Sequence, residues 1–244
     1  MSRRIRVFSW PAHTRRFPKL SKMSVHLRLI VENFILVIAA LIPIVNPLGA
    51  APVFASMTGA LTPAARIVLA RRVALNAFLL LAASMFIGNY VLGFFGLSVA
   101  VVQVGGGLIV CATAWTLLKQ DPNATPDPHH VVKPDDGLAK AFYPLTLPLT
   151  VGPGSISAAI TLGANHANNV HSLLTASPSL VLGSAVVALT IYLCFRYAFQ
   201  LTFVLGTTGT LVFLRLFAFI LLCIGIQIIW NGLSVLALKF YHGL

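Results

Sequence analysis

An apolar run that opens near Leu29 is long enough to cross a bilayer, yet it contains Pro43-Ile-Val-Asn46-Pro47-Leu48-Gly49-Ala-Ala-Pro52. None of these three prolines has an N–H to give to a helix ladder. In hydrocarbon the freed carbonyls cannot turn to water, so such a break persists only where protein or a wet cavity covers it. The same P-x3-P-x4-P spacing returns in Pro144-Leu-Thr-Leu-Pro148-Leu149-Thr150-Val-Gly152-Pro153-Gly154-Ser155, each proline 101 residues after its counterpart. Paired Gly/Pro interruptions in the two halves of a membrane chain point to a transport site. The feature constrains the fold to a bundle of interrupted helices.

Composition agrees. The 244 residues are 58% hydrophobic and only 9% charged, with a mean hydropathy of +0.90. A soluble domain carries about 25% charged residues, and several runs here reach the ~20 apolar residues that span a bilayer. The reading is an integral, multi-pass membrane protein, with the lipid bilayer as its first partner. The net charge of +12 does not indicate nucleic acid. About half of the basic residues precede Leu29, and the others mostly flank apolar runs, where they set topology or snorkel. Cys111, Cys194 and Cys223 sit inside apolar runs without CxxC spacing and read as small buried hydrophobes.

Residues 1–22 are basic and contain no acid. A secretory or twin-arginine signal would need an apolar core close behind its positive end. None follows, and the segment reads as a disordered tail or an over-extended start before Met23. Residues 23–118 form a first repeat of three spans: about Leu29–Val45 with its break, a span running to about Leu92, and about Leu97–Leu118. Glu32 lies within a turn of the first span's start, an interfacial position. Thr62-Pro63 reads as an N-cap followed by proline at the first helical position, and Phe94-Phe95-Gly96 as a tight connection. Gly105-Gly106-Gly107 would weaken a soluble helix; in a membrane it lets neighbouring backbones approach.

Residues 119–140 read as a solvated linker, with four prolines and Asp121, Asp127, Asp135 and Asp136. His129-His130 beside these acids fits no metal-ligand spacing. Residues 141–244 repeat the plan: a fourth span from Ala141 with the echo break, a polar loop from Gly163 to Pro178, a fifth span over Leu180–Phe203 and a sixth over Val212–Leu238. Gln103-x-x-Gly106 and Arg215-x-x-Ala218 align weakly between the third and sixth spans. Three spans per half is an odd number, so the expected architecture is all-α, six transmembrane helices in two inverted three-helix repeats, each with a broken first helix. From Met23 onward, basic residues concentrate after the first, third and fifth spans. The positive-inside rule places those connections in the cytoplasm and both termini outside.

The chain resembles the MarC-related family of six-span bacterial inner-membrane proteins, also described as neutral amino acid transporters. The likeness covers essentially residues 24–240. It rests on Asn46-Pro47-Leu48-Gly49-x-x-Pro52, on Pro148-Leu149-Thr150-x-Gly152-Pro153-Gly154, and on Arg215 to Gly232 with Gln227 and Asn231. The resemblance implies six helices and a transport role. Many members carry an arginine where this chain has Gln103, which leaves Arg215 as the remaining half of that pair.

A helix broken at mid-bilayer exposes N–H groups that suit an anion and carbonyls that suit a cation. A small zwitterion needs both. The expected substrate-binding set is therefore Asn46, Pro47, Gly49, Pro52, Thr150, Gly152, Pro153, Gly154, Ser155 and Arg215. Half-helix N-termini at Val53 and Gly154 would receive a carboxylate. Against this stands a structural reading, in which the polar groups satisfy each other around proline kinks and Arg215 snorkels. Asn76 reads as a helix-to-helix hydrogen-bonding residue or as an interior lining one. A serine hydrolase built on Ser155 with His166 or His171 lacks an oriented base, so no enzyme is expected. No metal and no cofactor is indicated. No acid lies deep in a span to relay protons, and nothing resembles an ATP site, so a gradient would drive transport. A scaffold or a passive channel is the alternative; homo-oligomerisation is left open.

Overall fold

The computed structural model describes residues 25–119, 132, 140–166 and 170–242, and those residues are overwhelmingly helical. The elements are α1 (Val25–Val45), α2 (Pro47–Met57), α3 (Pro63–Phe94), α4 (Val99–Lys119), a π-helical segment (Ala141–Thr150), α5 (Pro153–Ala164), α6 (Val170–Arg196) and α7 (Ala198–His242). Four helices are long and apolar enough to cross a membrane: α3, α4, Ala176–Arg196 of α6 and Thr208–Tyr241 of α7. Two bent pairs raise the number to six if each crosses once. α1 and α2 meet at 40°, and the π-helical segment and α5 at 73°.

Local chemistry sets the ends of these elements. Thr62 caps α3 by accepting the Ala65 N–H at 3.3 Å, with Pro63 next in line. Gly96 turns the chain between α3 and α4 at φ 66°, a left-handed conformation that glycine adopts without strain. Gly206, at φ 64°, does the same inside α7 and separates its first two turns from the span proper. The polar loop expected over Gly163–Pro178 is shorter than that, because α6 already begins at Val170 and carries Pro178 inside it. The fifth span correspondingly ends at Arg196 rather than Phe203. Pro178 removes one ladder bond but does not stop the helix. The basic segment before α1, His129-His130 and the four linker aspartates lie outside the described residues.

α4 runs against α7 and α3 against α6; α5 packs on α3 and α4, while α2 packs on α6 and α7. α1 lies on α6, and the π-helical segment lies on α3. Exchanging the two halves of the chain maps α4–α7 and α3–α6 onto themselves and turns each of the other pairings into another of the set. Glycines make the close approaches. A Cβ at Gly107 would stand 2.8 Å from the Gly225 carbonyl oxygen, and one at Gly232 would stand 2.6 Å from that of Ala100, so α4 and α7 touch backbone to backbone. Gly163 meets the Met85 backbone in the same way, joining α5 to α3. Within the Gly105-Gly106-Gly107 run, Gly105 alone faces open space. Close packing is thus the role of the other two, as expected of small residues in a membrane.

At one end of the bundle, Thr58 and Gly59 after the first bent pair meet Phe199 after α6, and Val132 joins them at Met57. The Arg66 guanidinium donates to the carbonyls of Thr58 and Gly59 at 3.1 and 2.9 Å, and lies 3.6 Å from the centroid of the Phe199 ring. It thereby caps the chain leaving α2 and ties it to the start of α7. Val132, expected in a solvated linker, is instead buried in the core and donates its N–H to the Met57 carbonyl at 2.9 Å. Phe54 of α2 stacks on Phe195 of α6 at 4.4 Å, both buried; such a pair contributes ~0.5–1.5 kcal/mol beyond its area. Lys119 lies over Trp115, and Arg196 stands beside Tyr192 and Tyr197, as basic and aromatic residues do at a membrane interface.

The glycine contacts give a direct test. Gly107→Ala should destabilise the detergent-solubilised protein by about 1–3 kcal/mol through overpacking. Gly105→Ala should be neutral or mildly stabilising, since helix propensity favours alanine and nothing obstructs it. Thermal unfolding followed by tryptophan fluorescence distinguishes the two; equal melting temperatures would mean that α4 and α7 are not in backbone contact.

Candidate functional site

The first break falls at Asn46. A residue before proline is pushed away from the right-handed helical region, and Asn46 takes the left-handed one at φ 47°, ψ 58°, which asparagine tolerates better than most side chains. Its Oδ1 accepts the Gly49 N–H at 3.0 Å, its own N–H reaches the Ile42 carbonyl at 2.9 Å, and its carbonyl accepts the Ala50 N–H at 3.0 Å. Pro47 follows as the first residue of α2. This corrects the expected position of the new half-helix: it starts at Pro47, and Val53 lies in its middle. Pro52 is buried inside α2 without ending it.

The second break is wider. Leu147, 101 residues after Asn46, is likewise non-helical, at φ −108° and ψ 126°. The chain then bends again at Val151–Gly152 before α5 opens on Pro153. Threonine hydroxyls serve the broken segment's carbonyls: Thr146 donates to Ala141 and Thr150 to Leu145, each at 2.6 Å. Asn76 on α3 donates to the Thr146 hydroxyl at 3.4 Å, so it bonds helix to helix. Such bonds contribute roughly 0.6–2 kcal/mol in membranes.

These arrangements leave little free volume at most of the predicted binding residues. The space beside Gly49 is filled by the Asn46 side chain, and the space beside Gly154 by Val110 of α4. Ser155 and Thr150 are buried. Gly152 is the open one: the nearest atom to a Cβ placed there would be the Pro148 carbonyl oxygen, at 3.5 Å. Arg215 is exposed on α7, which suits snorkelling. The two breaks are neighbours all the same, since α2 packs on the π-helical segment and α1 on α5.

A cavity of about 280 Å³ lies between α1, α4, α5 and α7, two elements from each half. The last turn of α1 supplies Pro43 and Ile44 beside Ala39 and Ala40. Pro43 is the residue whose carbonyl Pro47, lacking an N–H, cannot engage in the helix ladder. The polar lining is Gln103 of α4, Thr161 of α5, and Gln227 with Asn231 of α7. Gln103 donates from Nε2 to the Thr161 hydroxyl at 3.3 Å, and that hydroxyl donates to the Ser157 carbonyl at 2.9 Å. Gln227 Nε2 donates to Asn231 Oδ1 at 2.9 Å, one turn along the same helix. None of the predicted binding residues lines this cavity. The sequence reading noted Gln103, Gln227 and Asn231 without a site role and passed over Thr161. The signal was there in α7, where two carboxamides four residues apart interrupt the most apolar span of the chain.

Asn46 yields a test of the first break. Asn46→Ala removes the cap and places a Cβ residue that disfavours the left-handed region, and should cost about 2–3 kcal/mol of stability. Asn46→Gly, which keeps the backbone freedom, should cost clearly less. Equal losses for alanine and glycine in thermal unfolding would mean that the side-chain cap, not the backbone conformation, holds the break.

Comparison with known proteins follows the same lines. The pattern of the MarC family of integral membrane proteins matches residues 31–237. The chain is 30% identical over 202 residues to the UPF0056 membrane protein YvbG of Bacillus subtilis, covering 81% of this chain and 92% of that one. It is 32% identical over 203 residues to the UPF0056 membrane protein YhcE of Escherichia coli, covering 80% and 88%. It is 28% identical over 214 residues to the UPF0056 inner membrane protein MarC of Salmonella typhimurium, covering 84% and 95%. No solved structure matches. With multiple apolar helices and a family pattern that runs from α1 into α7, the chain belongs to the MarC family as a multi-pass inner-membrane protein.

Proposed function

We propose that the chain is a secondary transporter of small neutral amino acids or similar small solutes without net charge. The observation that carries the reading is the cavity shared by both halves, with the last turn of α1 before the first break in its wall and neutral hydrogen-bonding groups lining it from α4, α5 and α7. Its volume of about 280 Å³ falls just below the ~300–1,000 Å³ typical of ligand pockets, which suits only a small solute. Helix pairings that map onto one another when the halves are exchanged support two related repeats. Convergence of the three odd connections at one end supports six alternating spans, and three spans per repeat would make the repeats inverted. In such a plan alternating access comes from one repeat rocking against the other. The breaks at Asn46 and Gly152 are then the joints that let the halves of each bent pair move separately.

The test is counterflow in proteoliposomes, using labelled glycine, alanine, serine and the uncharged lactamide. Wild-type protein should give saturable counterflow of at least one of them. Gly152→Leu should reduce it at least several-fold, because Gly152 has room for a side chain in this state and its cost would fall on movement. Flux without saturation or counterflow would indicate a channel, and no protein-dependent flux at all would leave a non-transporting scaffold.

A further inference from the structure

We infer that the cavity between α1, α4, α5 and α7 is a binding site for a small non-ionic solute carrying an amide or hydroxyl group, and that it discriminates against zwitterions and anions. The inference rests on the transport reading only for its link to flux; binding can be tested without it. Four side chains offer hydrogen bonds to this space, Gln103, Thr161, Gln227 and Asn231, and none is ionisable. The rest of the wall is aliphatic, and no Asp, Glu, Lys, Arg or His of the described residues borders it. A carboxylate or ammonium pressed against this largely aliphatic wall would shed part of its hydration and find no counter-charge, which is unfavourable for an ion.

The carboxamides are also arranged to leave capacity for a ligand. Gln103 and Gln227 each use an N–H donor internally, to Thr161 and to Asn231. That leaves both glutamine Oε1 atoms as acceptors and the Asn231 Nδ2 as a donor. A primary amide presents the complement, two N–H donors beside one carbonyl acceptor, and a hydroxyl presents one of each. Gln103 and Thr161 are half-buried while Gln227 and Asn231 lie on the open side, and a site that hydrogen-bonds its ligand rejects analogues that leave its polar groups unpaired. The first pair joins the two halves, Gln103 on α4 reaching Thr161 on α5, and the second lies on α7 alone. A solute bridging Gln103 and Asn231 would therefore touch both halves at once, as a transported ligand must.

Lactamide and alanine are constitutional isomers, one uncharged and one zwitterionic, and lactate is the anionic counterpart of lactamide. Equilibrium dialysis of the purified full chain against each labelled compound should show lactamide bound at least about tenfold more tightly than alanine or lactate. Gln103→Leu and Asn231→Leu should each weaken lactamide binding by about tenfold, while Gln200→Leu, an exposed carboxamide outside the cavity, should leave it unchanged. Gln103→Arg should reverse the order in favour of lactate. Unchanged elution and thermal unfolding identify the variants that remain folded, and the Gln103→Arg reversal is a gain that misfolding cannot produce. Alanine binding as tight as lactamide, or lactamide binding indifferent to Gln103 and Asn231, would overturn the inference even if counterflow of amino acids is found. Cavity-dependent lactamide binding without any flux would uphold it and overturn the transport reading instead. Absence of binding by all three compounds would overturn it as well.

Discussion

Every backbone N–H and C=O that lies in hydrocarbon must find its partner within the protein, and the architecture of this chain follows from how that demand is met at two proline-broken helices. At Asn46 the side chain takes over the Gly49 N–H while the backbone bonds on either side continue. In the second half the threonines at 146 and 150 reach back to carbonyls five residues earlier. The two solutions differ, although the prolines are spaced identically. Asparagine permits a single left-handed residue and a 40° bend, whereas leucine at the matching position permits neither, and the chain there opens into a wider coil and a 73° bend.

Broken helices are weak elements unless their neighbours hold them, and here the holding is done by close packing. Glycine at 107, 163, 225 and 232 removes the side-chain layer between helices, so dispersion contacts and backbone approach replace the hydrophobic effect that lipid cannot supply. Arg66 acts at the opposite scale, closing the exposed carbonyls after α2 while resting on Phe199 from the far end of the chain. These contacts bring the two halves together, and the cavity lies between helices of both. The family relationship agrees with this picture of a helical inner-membrane protein, and the chemistry of the cavity adds what the family description does not: an uncharged lining.

Much of this could be read from particular residues. Thr62-Pro63 announced a helix start, Phe94-Phe95-Gly96 a turn, Gly106-Gly107 a tight crossing and Asn76 an interhelical bond. Other readings went astray for physical reasons. Pro52 and Pro178 looked like helix ends, but proline removes only one ladder bond, and a membrane helix with packed neighbours continues past it. Val132 looked solvated because its neighbours in sequence are polar, yet one apolar side chain can be drawn into the core by a single backbone bond to Met57. Binding residues were sought at the breaks because breaks are visible in one dimension. Much of the space beside those glycines proves to be taken by the protein's own side chains.

What the sequence by itself determined is the solvent this protein lives in, the rough limits of its apolar helices, and the two positions where the helical ladder must fail. These are local properties, set by hydropathy, proline and glycine. Only the tertiary structure decided that Gln103, Thr161, Gln227 and Asn231 share one cavity with Pro43, because residues on four helices converge according to how those helices cross. Crossing is governed by glycine contacts between distant segments, and no periodicity within a single helix reports it.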